Sequence, residues 1–358
     1  MFQSQEKIRF CRGIVRFIDI LQSNLRIYAK IRLFLRKEGT MARQVFTLLL
    51  KSYGILGFLF CVMLALSDHL RSHPSADKKW DLAASWIISP GQAVALTQTG
   101  AFLLDARSLD DRFLKSIPTA KIVNWEDYSV PNSPLKGRLL PKDQLAKKLD
   151  ELGIKHQDKI IVVGDPLDGW GEEGRIVWTL RSAGFHRSYL VDGGADKFLE
   201  KQRQGSSALL NEVSRIEPSQ VAKESTYDIT AENLLAQISR QQIESSVLDV
   251  REEREFLGST PYGESRGGHI PRAKWIYYKD FIDSEGYVKS REKILEILVS
   301  KKIPLDKPII SYCTGGIRSA FTTSVFISYG IKAKNYSGSM WEWTSMDANS
   351  FPLKKGPE

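Results

Sequence analysis

Short apolar runs alternate with amphipathic stretches along most of the chain. The runs Ile160-Ile-Val-Val and Ile309–Tyr312 have the length and composition of buried strands. The spacing of apolar residues predicts helices at three places: 231–240 after an N-cap at Thr230, 293–298, and 319–329 before Gly330. This alternation indicates an α/β fold in which a short, parallel-rich sheet is flanked by helices.

The pattern also repeats along the chain. Four segments recur in the same order at a nearly constant offset: 103–107 with 247–251, 117–120 with 270–273, 160–164 with 308–312, and 189–194 with 336–339. We therefore predict two copies of one domain, over 89–201 and 228–350. The stretch 202–227 is rich in Ser, Gln, Lys and Glu and is interpreted as a linker.

A different pattern precedes the two copies. Residues 45–66 are a stretch of 22 residues with one charge, Lys51, which is long enough for a helix to cross a bilayer. The basic region 1–44 contains ten Lys or Arg against three acidic residues, which keeps that side cytoplasmic. We expect a single-pass transmembrane or signal-anchor helix and an extracytoplasmic body. The alternative is a cleaved signal peptide, with Met41 as the true start and a secreted or periplasmic body.

The charge of the chain does not indicate nucleic-acid binding. The net charge is +9, but removing the ten basic and three acidic residues of 1–44 from the totals of 51 and 42 leaves a surplus of only two. A nearly neutral body lacks the basic surface of a nucleic-acid binder. Only one of the three cysteines, Cys313, follows residue 66, and the histidines are too scattered for a zinc site. We expect no metal and no cofactor.

The segment around Cys313 carries the candidate chemistry. A strand runs into the cysteine, and Gly315 and Gly316 then form a turn before a helix begins. Such a turn points several backbone N–H groups into one concavity, and the helix dipole places its positive end beside the sulfur. Both effects favour a thiolate, and Arg318 adds a planar positive charge suited to an oxyanion. The alternative, a small buried cysteine at a strand end, does not account for the glycine turn and the arginine.

With these features, the chain resembles the tandem rhodanese-domain sulfurtransferases. The second copy has four of the family's motifs: Asp249-Val-Arg251, Gly-His-Ile-Pro-Arg-Ala at 268–273, Cys-Thr-Gly-Gly-Ile-Arg-Ser at 313–319, and Gly-Ser-Met-Trp-Glu-Trp at 338–343. The resemblance implies two rhodanese-like domains after the N-terminal hydrophobic helix. It also implies that Cys313 takes a sulfur from a small anionic donor such as thiosulfate and passes it, as a persulfide, to cyanide, a thiol or a protein acceptor.

The resemblance also assigns roles to the neighbours of Cys313. The loop amides would bind the substrate and cradle the persulfide; these residues are Thr314, Gly315, Gly316, Ile317 and Arg318. Asp249, Arg251 and Ser319 would support the loop. Asp249 would bond to neighbouring backbone, and Arg251 would form a buried ion pair. His269 would stabilise the loop rather than act as a base.

Several assignments remain open. Arg318 would attract the anionic donor, or it would pair with a nearby carboxylate. Trp341 and Trp343 are expected in the core rather than as a substrate platform. Glu255 departs from the basic side chain that some thiosulfate-using relatives have in this region, so the donor is not fixed by the motif.

The first copy has no cysteine in the matching loop. Alignment of 160–164 with 308–312 puts Asp165 at the nucleophile position, and a carboxylate there cannot form a persulfide. We expect this copy to be inactive and to shape the cleft between the halves, with Trp170 or Arg175 near the interface.

Two other functions are compatible with parts of the sequence. A cysteine phosphatase of this fold needs five residues between the cysteine and the arginine, whereas Cys313 and Arg318 are separated by four. A membrane-tethered sulfur-carrier or binding module would keep the cysteine and hand its sulfur to one protein partner with little turnover.

Overall fold

The structure is a computed structural model that describes residues 80–81, 84–204, 227–240 and 244–356. The predicted basic region 1–44, the hydrophobic helix 45–66 and most of the linker 202–227 lie outside these residues. Among the helices that are described, none has both the length and the apolar composition needed to cross a bilayer.

The first domain is built on a five-stranded parallel sheet. Its elements are β1 (Ile87–Ile88), α1 (Pro90–Gln98), β2 (Phe102–Asp105), α2 (Leu109–Leu114), β3 (Lys121–Ile122), α3 (Lys142–Asp150), β4 (Ile160–Val163), α4 (Glu172–Ser182), β5 (Ser188–Val191) and α5 (Gly194–Gln204). The strand order is β1-β5-β4-β2-β3. A 3₁₀ turn at Trp125–Tyr128 follows β3.

The second domain repeats this plan with four parallel strands. Its elements are α6 (Ala231–Ser239), β6 (Ser246–Asp249), α7 (Glu253–Leu257), β7 (Ala273–Trp275), α8 (Arg291–Ser300), β8 (Ile309–Tyr312), α9 (Ile317–Ser328), β9 (Ala333–Asn335) and α10 (Ser339–Ser345). The strand order is β7-β6-β8-β9. Both sheets are flanked by helices, so the predicted α/β class is confirmed.

Local sequence explains several element boundaries. The Thr230 side chain accepts a hydrogen bond from the amide of Asn233 and begins α6, as predicted. Helix α9 begins at Ile317, two residues before the predicted start, because Gly316 already takes the left-handed conformation that caps it.

The first domain extends beyond both of its predicted ends. Strand β1 lies before residue 89 and pairs with β5, and Trp86 just before it is buried in the core. Helix α5 continues to Gln204, three residues into the predicted linker.

The two domains meet through the equivalent helices α4 and α9. Gly171 and Gly174 make the close approach possible, since a Cβ on Gly174 would lie 2.4 Å from the Cα of Phe321. One apolar cluster contains side chains of both domains, among them Trp178 and Phe326, while two further clusters cover the outer faces of the sheets. The loops that precede α4 and α9 are thereby brought to the same interface.

Candidate active site

Cys313 directly follows β8, at the carboxyl edge of the sheet where parallel folds place their chemistry. Its side chain is 1% exposed. The Gly316 amide donates to Sγ at 3.1 Å, and the Ser319 hydroxyl donates to Sγ at 3.4 Å. Predicted loop residues thus contact the sulfur, one through its backbone and one through its side chain.

The backbone of Cys313 is held by the segment that begins α10. Ser339 has a left-handed backbone, with φ of 50°, and its hydroxyl accepts the Cys313 amide proton at 3.0 Å. The amide of Trp341 donates to the Thr314 carbonyl at 2.9 Å. A non-glycine residue in this conformation is uncommon and is retained where surrounding structure requires it.

The surroundings of the sulfur favour the thiolate. Burial by itself would raise the pKa of Cys313, but the charge of Arg318, the hydroxyl of Ser319 and loop amides outweigh it, so the pKa lies below its usual value. A lowered pKa is what a nucleophilic cysteine requires.

Arg318 does not point its charge into an open site. Its Nη1 lies 2.7 Å from Oε2 of Glu255 and its Nη2 lies 2.9 Å from Oε1, and both side chains are buried. Of the two roles considered for Arg318, the pair with a local carboxylate is the one that the structure contains. Burial would raise the pKa of Glu255, but the bonds from Arg318 and Thr314 lower it overall.

Asp249 and Arg251 form a second buried pair. Arg251 donates to both carboxylate oxygens of Asp249, with Nη2 at 2.7 Å, and also to the carbonyl of Gly268 at 2.8 Å. The same arrangement joins Arg107 to Asp105 in the first domain, which has no cysteine. The pair therefore belongs to the fold of each domain.

His269 and Trp343 have structural positions. The ring of His269 stacks on Phe256 at 3.8 Å, and its Nδ1 lies 3.0 Å from the Phe256 carbonyl oxygen. Trp343 is fully buried, whereas Trp341 is half-buried and its ring lies against Gly315. The expectation of a core position is thus met by Trp343 and not by Trp341.

In the first domain, a glycine and not an aspartate occupies the position that is structurally equivalent to Cys313. Asp105 pairs with Val163 in one sheet and Asp249 pairs with Tyr312 in the other, so Gly164 is equivalent to Cys313. The assignment of Asp165 to that position was therefore wrong by one residue, because a short apolar run can be aligned in two registers.

Glu173 fills the space that a side chain at Gly164 would need. A Cβ on Gly164 would lie 2.0 Å from Oε2 of Glu173. Burial raises the pKa of Glu173 to about 8. This site is closed to a cysteine side chain, which is consistent with an inactive first copy.

The first domain reaches the Cys313 loop through Arg175 of α4. Its Nη1 donates to the carbonyl of Gly316 at 3.1 Å. In the opposite direction, the Tyr278 hydroxyl of the second domain donates to the Gly169 carbonyl at 2.8 Å. Trp170 stacks on the guanidinium of Arg318, with 4.9 Å between the ring centroid and Cζ. Both residues expected near the interface are found there.

Half-buried aromatic rings from both domains lie around the loop. Trp170 packs edge-on against Tyr262, and Trp341 lies nearly parallel to Trp125 with 6.3 Å between centroids. The ammonium of Lys136 lies 3.9 Å from the ring centroid of Trp341. Aromatic rings and the ammonium of Lys136 therefore lie beside the residues that follow Cys313 and pack against them.

Comparison with known proteins agrees with this geometry. The family model for the rhodanese-like domain matches residues 89–201 and 230–346. The chain belongs to the rhodanese-like family. Each rhodanese-like domain contains its own sheet, as described above, and the second domain contains Cys313.

Curated relatives of this rhodanese-like chain carry sulfur-transfer names. The "Sulfur carrier protein TtuD" of Thermus thermophilus is 26% identical over 68% of this chain and 86% of its own length. The "3-mercaptopyruvate sulfurtransferase" of Mus musculus is 26% identical over 64% and 77%, and the "Thiosulfate sulfurtransferase" of Azotobacter vinelandii is 26% identical over 72% and 93%. Together they support a general role in sulfur transfer.

A solved structure shares the fold. The wild-type structure of EanB superposes with a TM-score of 0.62 at 16% identity, covering 80% of this chain and 74% of that one.

Proposed function

We propose that the protein is a sulfurtransferase that moves a sulfane sulfur through a persulfide on Cys313. The observation that carries this proposal is the sulfur at the exit of β8, which receives hydrogen bonds from Gly316 and Ser319 and has a lowered pKa. A thiolate in this setting is a nucleophile, and the hydrogen-bond donors around it stabilise its negative charge.

The reaction balances as two displacements. The Cys313 thiolate attacks the outer sulfur of thiosulfate, the sulfur–sulfur bond of the donor breaks, and sulfite leaves with the electron pair. The terminal sulfur of the Cys313 persulfide is then attacked by cyanide or a thiolate, and the Cys313 thiolate is released. The loop amides that stabilise the first anion also stabilise the persulfide anion, because both place negative charge at the same concavity.

A phosphatase reaction receives no support from the site. Arg318 donates to Glu255 through both of its terminal nitrogens, so these nitrogens are not available for a bidentate contact with a phosphate. The spacing of four residues between cysteine and arginine is also one too short for that cradle.

Steady-state kinetics of the full chain test the proposal. We expect transfer of sulfur to cyanide from thiosulfate or from mercaptopyruvate, and complete loss in Cys313→Ser. Thr323→Ser serves as the control, since Thr323 is buried on α9 and its hydroxyl has no hydrogen-bond partner among the described residues. Transfer that survives in Cys313→Ser would contradict the proposal.

A sulfur-carrier role is the second candidate. Two features support this candidate: Cys313 is almost fully buried, and Arg318 is paired with Glu255 rather than free for a small dianion. The Thermus relative is named a sulfur carrier. A carrier would form the persulfide and release it to a protein thiol, with negligible turnover to cyanide.

We also propose that residues 45–66 anchor the protein in a membrane, with the body on the extracytoplasmic side. The 22-residue segment with one charge, preceded by the basic region, supports this. Carbonate extraction of membranes should leave the full chain in the pellet. A mature chain that begins near residue 67 would instead indicate a cleaved signal peptide.

A further inference from the structure

Arg175 is a fully buried cation at the domain interface. It belongs to α4 of the first domain, and its guanidinium donates to three acceptors: the Gly316 carbonyl at 3.1 Å, the Ser129 hydroxyl at 2.9 Å and the Gly137 carbonyl at 2.6 Å. Within the residues described, no carboxylate lies within ion-pair distance of Arg175. A buried charge without such a partner is costly, so its position calls for an explanation beyond stability.

Gly316 connects this cation to the reacting sulfur. Its N–H donates to Sγ of Cys313, while its carbonyl accepts from Arg175 and from the side-chain amide nitrogen of Asn335, each at 3.1 Å. With φ of 80°, Gly316 is in a left-handed conformation that glycine adopts readily and that other residues rarely adopt. The bonds to its carbonyl hold the 316–317 peptide plane, and this restricts the flexible glycine whose N–H donates to the sulfur.

Arg318 is the main charge that lowers the pKa of Cys313, and Arg175 is a second buried cation that interacts with the sulfur. The groups that face Cys313 and Arg175 are Arg318 with Glu255, Glu264 beyond Thr314, and Asp228. Arg318 is paired with Glu255 at direct contact, and the oxygens of Asp228 accept hydrogen bonds from Ser337 and from the Ile229 amide. Burial lowers the pKa of Arg175 to about 10, so it stays charged at neutral pH.

We infer that Arg175 is a positioning residue of the second domain's active site: through Gly316, the cysteine-less first domain holds the loop in the form that stabilises the Cys313 anion. The inference rests on the proposed function, since it concerns the same thiolate. The first domain thereby supplies a cation and a hydrogen bond that position the catalytic loop.

The pH dependence of Cys313 alkylation by iodoacetamide in the full chain tests this inference, with modification read on the Cys313 peptide. In Arg175→Gln the midpoint should rise by about 0.5–1 pH unit, because a positive charge and the bond to Gly316 are both lost. Arg175→Lys keeps the charge but cannot reach all three acceptors, so the midpoint should rise less while kcat falls.

Arg181→Gln is the matched control. Arg181 lies on the same helix and is also buried, but it donates to the carbonyls of Ser188 and Ser85, both in the first domain. We expect this variant to lose stability and to keep the wild-type midpoint.

Two results would overturn the inference. One is an Arg175→Gln midpoint equal to that of the wild type. The other is an Arg175→Lys protein with wild-type midpoint and kcat, which decides the matter even if the glutamine variant does not fold. Alkylation needs no sulfur donor, so an absence of sulfur transfer in the wild type would contradict the proposed function without affecting this measurement.

Discussion

Arg318 and Glu255 form a bidentate ion pair near the reactive sulfur, with nitrogen–oxygen distances of 2.7 and 2.9 Å. The pair is buried, and Thr314 bonds to both partners. The carboxylate thus cancels most of the charge that a free Arg318 would present to an anionic donor. Donor binding is expected to be weak for a small dianion while the pair is intact.

Removing the carboxylate should release that charge. In Glu255→Gln, we expect the KM for thiosulfate to fall about three- to tenfold and the pKa of Cys313 to drop further, since Arg318 is no longer neutralised. The free energy of unfolding should also fall by about 3 kcal/mol, because a buried pair loses one partner. Kinetics, Cys313 alkylation and denaturant unfolding measure the three effects.

Glu253→Gln provides the control for this variant. Glu253 lies on the same short helix and is exposed, so its substitution should leave all three quantities unchanged. A Glu255→Gln protein with a higher KM for thiosulfate would show that the pair serves donor binding as it stands.

The turn at Gly316 should not tolerate a side chain. In Gly316→Ala, the new Cβ would lie 2.3 Å from the Ser337 carbonyl oxygen and 2.5 Å from Nη1 of Arg175. We expect kcat/KM to fall by about a hundredfold or more, because the displaced amide no longer donates to Sγ.

Gly330→Ala is the control that measures the effect of backbone strain without a steric clash. Gly330 ends the same helix with φ of 75° and has open space around its Cα. It should cost about 1 kcal/mol of stability and leave kcat/KM unchanged. Equal activity losses in the two variants would argue against a specific role for the Gly316 amide.

The pH profile of kcat/KM should reflect the lowered pKa of Cys313. Activity rises with pH as the thiol ionises and becomes flat above its pKa, so the midpoint should lie below the usual thiol value of about 8.5. In Ser319→Ala the midpoint should move upward, since a hydrogen bond to the thiolate is lost.

Ser324→Ala is the comparison for this measurement. Ser324 is buried on the same helix, and its hydroxyl donates to the Ala320 carbonyl instead of the sulfur. A midpoint that moves equally in both variants, or in neither, would show that the Ser319 hydroxyl does not stabilise the Cys313 thiolate.

Glu173 should make stability depend on pH in the first domain. Its pKa is raised by burial to about 8, so the folded protein keeps the proton while the unfolded chain loses it above about pH 4.5. The stabilisation that the neutral carboxyl provides is complete below pH 4.5 and is lost as the pH rises towards 8. Glu173→Gln should therefore raise the melting temperature at pH 8.5 more than at pH 4.5.

An exposed carboxyl gives the baseline for that experiment. Glu126→Gln should shift the melting temperature equally at the two pH values, because Glu126 is solvated. A pH-independent effect of Glu173→Gln would mean that Glu173 is ionised in the folded protein.

The elements that depend on local pattern were predictable from the sequence. Strand β8, the Gly315–Gly316 turn, the helix after it and the Asp249–Arg251 pair all arise from residues close together in the chain. The duplication was also visible, since each copy repeats the same short motifs in order.

The contacts that determine the ionisation of Cys313 were not predictable in this way. Arg318 and Glu255 are 63 residues apart, and Arg175 is 141 residues from Gly316. No periodicity links such positions; they meet because β6 and β8 are neighbours and because α4 packs on α9. The register of β4 was misplaced for a related reason, since only its pairing with β2 distinguishes Gly164 from Asp165.

The central claim is that Cys313 carries sulfur as a persulfide, and the mass of the peptide that contains it tests this most directly. The full chain is incubated with thiosulfate, digested without reductant and measured before and after addition of cyanide. We expect the Cys313 peptide to gain the mass of one sulfur atom and to lose it to cyanide, with no gain in Cys313→Ser. A Cys313 peptide that stays unmodified after incubation with thiosulfate and with mercaptopyruvate would contradict the account.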